Sequence, residues 1–322
     1  MSAVGGKLWS MFGVFAFVAL TAAVPLWLSK YHVFQLTMIV IYSIALLGLN
    51  ILTGYNGQIS FGHGVFYAIG AYTAAILLNH DFAPYWTAIP AGAIICLIVG
   101  CLFGLPALRL EGPYLGLATF ALAVATPQLI KFRSFEPWTG GVQGLVLDAP
   151  MPPPAIPLNS DQWLFYQCFF VAILMFVLGR NIVRSRTGLA LMAIRDNPVA
   201  AATMGINTAL YKTLAFGVSA MYAGIAGGLS ALVTQFVAPD SFTIFFSISL
   251  LVGCVVGGVA SISGAIFGAA FIELVPNVAD ELSKAAPWTI YGVFLLAFMF
   301  LAPRGIASLI HMGWSKAFQR KL

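Results

Sequence analysis

The sequence predicts an all-α, polytopic membrane protein, and three observations carry that expectation. Hydrophobic residues make up 61% of the 322-residue chain, against roughly 45–50% in a soluble domain. Charged residues make up 8%, where roughly 25% is usual, so the chain lacks the polar material to cover a water-facing surface. The apolar residues also gather into runs well beyond the ~10 residues of a barrel strand, and a backbone in hydrocarbon must then satisfy its polar groups within helices. Disorder, collagen and a free-standing nucleic-acid binder are excluded by the same composition. A net charge of +5 needs no nucleic-acid partner, because lysines and arginines collect on the cytoplasmic side of membrane proteins.

Ten apolar stretches are read as spans: 9–28, 33–52, 61–79, 87–108, 114–131, 163–179, 212–236, 243–260, 263–279 and 287–303. The first follows a lone Lys7 and has the length of a span at ~20 residues, so it is read as a retained helix and not as a cleaved leader. Loop charges orient the bundle. With the N-terminus inside, the inner loops hold Lys7, Arg109, Arg180, Arg184, Arg186, Arg195, Lys212, Arg304, Lys316, Arg320 and Lys321. The outer loops hold only Lys30, Lys131, Arg133 and Lys284, which accounts for all 15 basic residues. An even number of spans then places both termini in the cytoplasm. Residues 1–322 form a single membrane domain with two larger soluble connections, 132–162 outside and 180–211 inside. The outer one contains "DAPMPPPAIPLNSD", whose prolines resist regular structure, and it is expected to pack over the mouth of the bundle. The cysteines Cys96, Cys101, Cys168 and Cys254 lie inside apolar runs with no metal-ligand spacing and read as small buried hydrophobes.

The inner loop carries the most specific local chemistry. In "AIRDNPVAAATMGIN", Asn197 is a natural N-cap, because its side-chain oxygen can accept an orphan backbone N–H. Pro198 suits the first helical position, and Gly205 supplies a left-handed stop. A helix of two turns is marginal alone in water. It is either a connector lying flat under the bundle or a docking element for a cytoplasmic partner.

Here the chain resembles the LivM-type permeases, the membrane subunits of branched-chain amino-acid ABC importers. The resemblance rests on "GLALMAIRDNPVAAATMGIN" and on five further blocks in order: "LTGYNGQISFGHGVFYAIGAYTAAIL", "LRLEGPYLGLATFALA", "TGGVQGL", "VVGGVASISGAIFGAAFIELVP" and "APRGIASL". It implies an ABC importer permease fold, and it implies that the loop holds a coupling helix seated in a cleft of an ATPase subunit. Ala200, Ala201 and Gly205 match the coupling motif, and Arg195 and Asp196 match as polar contacts at its rim. Where the family usually has acids, this chain has Pro198 and Thr203, so ion pairs from those two positions are not expected.

A second constellation lies at Gly54 to Gly64, where four glycines in eleven residues disfavour a continuous helix at membrane depth. It is either a turn followed by close packing or a broken helix whose amides and polar side chains line a route. Asn56, Gln58, Ser60 and His63 are the candidate path residues, joined by Ser261 and Ser263 through a faint repeat. "GQISFGHGVFYA" (57–68) aligns with "GVASISGAIFGA" (258–269) at an offset of 201, with Gly57/Gly258, Ser60/Ser261, Phe66/Phe267 and Ala68/Ala269 identical. Paired glycine-interrupted segments are a trace of internal pseudo-symmetry around a path. His63 also reads as a hydrogen-bonded structural residue, and Glu273, the most membrane-embedded acid, as interfacial.

The pattern G-x-x-x-x-G-K-[ST] does not occur, so no cofactor is expected on this chain and ATP would bind partner subunits. Apart from Glu273, acidic and basic residues avoid the spans, which argues against an ion- or proton-coupled secondary transporter. A membrane enzyme is disfavoured because no metal-ligand cluster or nucleophile–base set is legible. The resemblance implies a bacterial inner-membrane subunit working with a LivH-like second permease, two LivG- and LivF-like ATPases and a periplasmic binding protein, with lipid around it and no nucleic acid. Related permeases for urea, amides or aromatic acids share much of the pattern and remain open as an alternative cargo class.

Overall fold

The computed structural model describes residues 21–308 apart from 111, 149, 154–156, 283, 285, 286, 303 and 304. Most of the first expected span, Lys7, Arg304 and the basic tail lie outside the described residues. A 3-10 turn at Val24–Leu26 precedes α1 (Lys30–Asn50), which winds into a π-helical turn at Ile51–Tyr55. After an irregular stretch at 56–62 come α2 (His63–Asn79), α3 (Tyr85–Ala107) and α4 (Pro113–Ile130). The next connection holds the short α5 (Glu136–Thr139) and strand β1 (Leu145–Val146). Helix α6 (Ser160–Arg184) is followed at once by α7 (Arg186–Asp196) and the six-residue α8 (Pro198–Thr203). Then come α9 (Thr208–Thr234), β2 (Phe236–Val237), a 3-10 turn at Pro239–Phe242, α10 (Ile244–Gly257), α11 (Gly264–Leu282) and α12 (Pro287–Leu301).

Each of the nine later spans expected from hydropathy has a helix in its place. Five of the helices, α1 with its π turn, α3, α4, α6 and α9, are long and apolar enough to cross a membrane by length and composition. Helix α9 and then α1 are the enclosed ones, with most of their apolar stretch buried. Small residues let neighbours approach α9 closely. A Cβ on Gly100 would lie 3.0 Å from the Cα of Gly217, and one on Gly70 would strike the backbone of Gly224. Between apolar helices in lipid there is little hydrophobic drive, so such backbone-to-backbone packing holds them together. The outer faces of α3, α4 and α6 carry exposed Ile98, Leu102, Leu117, Phe120, Phe170 and Leu174, a surface suited to lipid or another subunit.

The connections sort into two ends. Helix α9, at 27 residues, is ~40 Å long and serves as a ruler. Beside its N-terminal half, Tyr211 and Leu214 share an apolar crevice with Ile51, Ile182, Thr187 and Leu191. Beyond its C-terminus, β2 pairs antiparallel with β1, Leu145 opposite Val237 and Val146 opposite Phe236. Within the 132–162 connection α5 and β1 lie before the proline-rich segment, whose described residues from 148 to 159 form neither helix nor strand, as expected. Thr139 Oγ1 donates to Ile130 O, Leu147 N donates to Gln235 O, and both Leu145 and Leu147 are buried. Lys131 pairs with Asp240 at this same end. The segments 131–147 and 235–240, assigned to the same side by charge, thus meet one another.

Candidate functional site

The 180–211 connection was expected to hold one short helix; it is helical nearly throughout. Ser185 accepts Thr187 N at 3.2 Å to start α7, a helix not foreseen in the sequence. Arg195 and Asp196 belong to the end of α7 and not to the short helix that follows. Asn197 then starts α8 as expected, its Oδ1 accepting Val199 N at 3.1 Å and Ala200 N at 3.0 Å, with Pro198 in the first turn. The helix ends as expected too. Gly205 stands at φ +83°, with Gly205 N donating to Ala202 O at 3.0 Å and Ile206 N to Ala201 O at 3.1 Å, a pair of bonds that closes the last turn over a left-handed residue.

Exposure divides the residues of this loop. Ala201, which the motif match marked for a partner, is buried against its own chain. Ala200 and Gly205 are exposed. Val199 at 73% and Met204 at 84% are among the most exposed large apolar side chains, although sequence reasoning did not single them out.

Arg195 departs most from expectation. It was read as a rim contact for a partner, but its Nη1 donates to Gly54 O at 2.9 Å. Its Nε and Nη2 both meet Asp196 Oδ1, at 3.0 and 2.9 Å.

Gly54 lies in the π turn that ends α1, and here the helix does break. Asn56 N donates to Ile51 O and Gln58 N to Leu52 O, after which the backbone leaves helical geometry until His63. The carbonyls at a helix end have no intrahelical donor. Arg195 satisfies that of Gly54, and a cation at a helix C-terminus gains a further ~0.3–1 kcal/mol from the dipole. Gly57 stands at φ +77° with its α-face against Arg195, whose Cγ would be 2.8 Å from any Cβ placed there.

Four of the six candidate path residues are packed inside the chain. Asn56, Gln58, Ser60 and His63 are all buried. Asn56 Nδ2 donates to Gln58 Oε1 at 2.6 Å, while Asn56 Oδ1 is buried without a partner among the described residues. Ser60 Oγ accepts Gly62 N at 3.3 Å, and His63 Nε2 is hydrogen-bonded to Ala45 O at 2.9 Å, the structural role open to it from the sequence. Ser261 and Ser263 are more accessible; their hydroxyls lie 3.2 Å apart, and Ser261 Oγ accepts Gly264 N at 3.2 Å.

The residue that joins the two glycine-rich segments was missed. Asn50 Oδ1 accepts Ala260 N at 2.7 Å, and its Nδ2 donates to Ser261 O at 2.8 Å and Gly258 O at 3.2 Å. The segments are alike locally. Helices α2 and α11 start at His63 and Gly264, 201 residues apart, and each is preceded at the same spacing by a glycine with positive φ, Gly57 at +77° and Gly258 at +123°.

The model of the branched-chain amino acid transport system / permease component family matches residues 31–303. The chain belongs to this permease family. The high-affinity branched-chain amino acid transport system permease protein LivM of Salmonella typhimurium is 30% identical over 317 residues, covering 90% of this chain and 73% of the relative. LivM of Escherichia coli matches to the same extent. The LivH permease protein of S. typhimurium is 26% identical over 287 residues, covering 82% of this permease and 90% of LivH. No solved structure matches.

Proposed function

We propose that this chain is a permease subunit of an ATP-driven ABC importer for branched-chain or other hydrophobic amino acids, working by alternating access in a bacterial inner membrane. The observation that carries the reading is α8: six residues, capped by Asn197, stopped by Gly205, and presenting Val199, Ala200 and Met204 to solvent. A helix this short does not sustain itself in water. Its caps preform it at the end of the bundle where a separate ATPase would dock. Membership in the permease family and likeness to LivM and LivH support the cargo class.

On this reading the end bearing α7 and α8 is cytoplasmic, as the distribution of arginines and lysines favours. A LivH-like subunit would cover the exposed faces of α3, α4 or α6, two LivG- and LivF-like ATPases would hold the loops, and a periplasmic binding protein would deliver cargo at the end of β1 and β2. The path would pass the two breaks, one holding Asn56, Gln58, Ser60 and His63 and the other Ser261 and Ser263, which Asn50 joins, and the matching helix starts support an internal pseudo-symmetry around it. Purifying the complex by a tag on this chain tests the reading. ATPase subunits should co-elute with a second permease chain; a chain that purifies without them and moves amino acids on an ion gradient would overturn it.

A further inference from the structure

The only side chain of α7 and α8 seen to hydrogen-bond the broken end of α1, among the described residues, is Arg195. Three features make this a joint and not a casual surface contact. First, the guanidinium is divided: Nη1 holds Gly54 O, while Nε and Nη2 hold Asp196, the last residue of α7 before the coupling helix. The planar fork of arginine allows both at once, which a lysine ammonium on a flexible stem does not reproduce. Second, the receiving surface lacks side chains where the arm lies. Gly57 is in a conformation that L side chains rarely adopt, and a Cβ there would meet the Arg195 stem at 2.8 Å. Third, Gly54 is itself wedged. A Cβ on it would come within 2.5 Å of Ala260 N, the same amide that Asn50 holds. A displacement of Gly54 therefore reaches the 258–261 turn and the start of α11 without an intervening soft element.

We propose that Arg195 is the positioning residue that transmits movement of the loop helix to both helix breaks. The chain of contact runs from α8 through Asp196 and Arg195 to Gly54, and from there through Asn50 to Ala260 and Ser261. Packed elements of this kind shift between discrete arrangements and do not deform smoothly. The inference rests on the reading of α8 as the ATPase-docking helix, but it assigns Arg195 to the permease's own interior and not to the docking face.

The test is substrate moved per ATP hydrolysed by the reconstituted complex carrying R195Q or R195K. With R195Q, the ATPase should remain bound and active while uptake per ATP falls by about tenfold, the scale of one lost charge-assisted hydrogen bond. R195K should recover part of that loss, because it restores the charge at the helix end without the fork. Unchanged uptake per ATP in R195Q overturns the proposal. Loss of the ATPase from the R195Q complex also overturns it, since Arg195 would then be a docking contact, and the docking reading itself would stand. A wild-type complex that never retains an ATPase fails the docking reading instead. If R195Q does not accumulate in the membrane, G57A carries the same test by pushing the Arg195 stem aside, and a normal ratio there counts against the proposal.

Discussion

Asn50 Oδ1 accepts the backbone N–H of Ala260 at 2.7 Å, across 210 residues of sequence. With its Nδ2 bonds to Ser261 O and Gly258 O, one carboxamide ties the end of α1 to the turn between α10 and α11. Replacing Asn50 by leucine would leave one donor and two acceptors without that partner in a largely buried setting. Each such group costs ~1–3 kcal/mol, so N50L should destabilise the chain by at least about 2 kcal/mol. Thermal unfolding in detergent would show it, and an unaltered midpoint would mean that the junction is not held by this residue.

The two glycines flanking the candidate path segment should separate in their effects. A Cβ on Gly62 would lie 2.8 Å from Thr119 O, a rigid backbone atom, so G62L should lower the amount of chain in the membrane. At Gly57 the nearest atom to a Cβ is Cγ of the movable Arg195 stem, at 2.8 Å, and a left-handed residue there costs ~1–2 kcal/mol. G57L should accumulate better than G62L and still fail in uptake. Equal membrane levels for the two, measured by immunoblot, would contradict the difference in packing.

At Gly205 no described atom lies within 4 Å of a built Cβ, so substitution there is purely a question of backbone conformation. Asparagine tolerates the left-handed region, whereas a β-branched side chain does not. G205N should therefore keep coupled uptake and G205V should lose it or release the ATPase, with both present in the membrane. Indistinguishable uptake by the two variants would show that the helix stop has no functional part.

Opposite ends of α9 should prove to be opposite sides of the membrane. Val146, 72% exposed in β1, and Leu189, 63% exposed in α7, are suited to single cysteines in a C101S background, since Cys96, Cys168 and Cys254 are buried but Cys101, contrary to the expectation from its apolar run, is only partly so. An impermeant thiol reagent added to intact cells should label V146C and not L189C. Labelling of both from the same side would break the orientation.

Local chemistry accounts for what could be read from the sequence, and distance along the chain for what could not. The Asn197 cap and Gly205 stop involve groups within five residues of each other, so residue type alone identified them. The apolar runs likewise placed nine helices, because hydrocarbon demands the same of each. Arg195 was legible as a functional position but not in its direction: its partner, Gly54, is 141 residues away. Asn50 sits inside an apolar run and resembles a tolerated polar residue until Ala260 is brought to it. The π turn at Ile51–Tyr55 and the pairing of β1 with β2 also depend on contacts that no periodicity encodes. Ala201 shows the reverse case, since a motif match marked it for a partner and packing turned it inward.

The most direct measurement is leucine uptake into vesicles holding the complete complex, with binding protein on the side of β1 and β2 and ATP on the side of α8. Accumulation should require both and should cease when ATP is replaced by a non-hydrolysable analogue. Uptake that persists without ATP and follows an imposed ion or proton gradient would show that this permease is not driven through its loop helix.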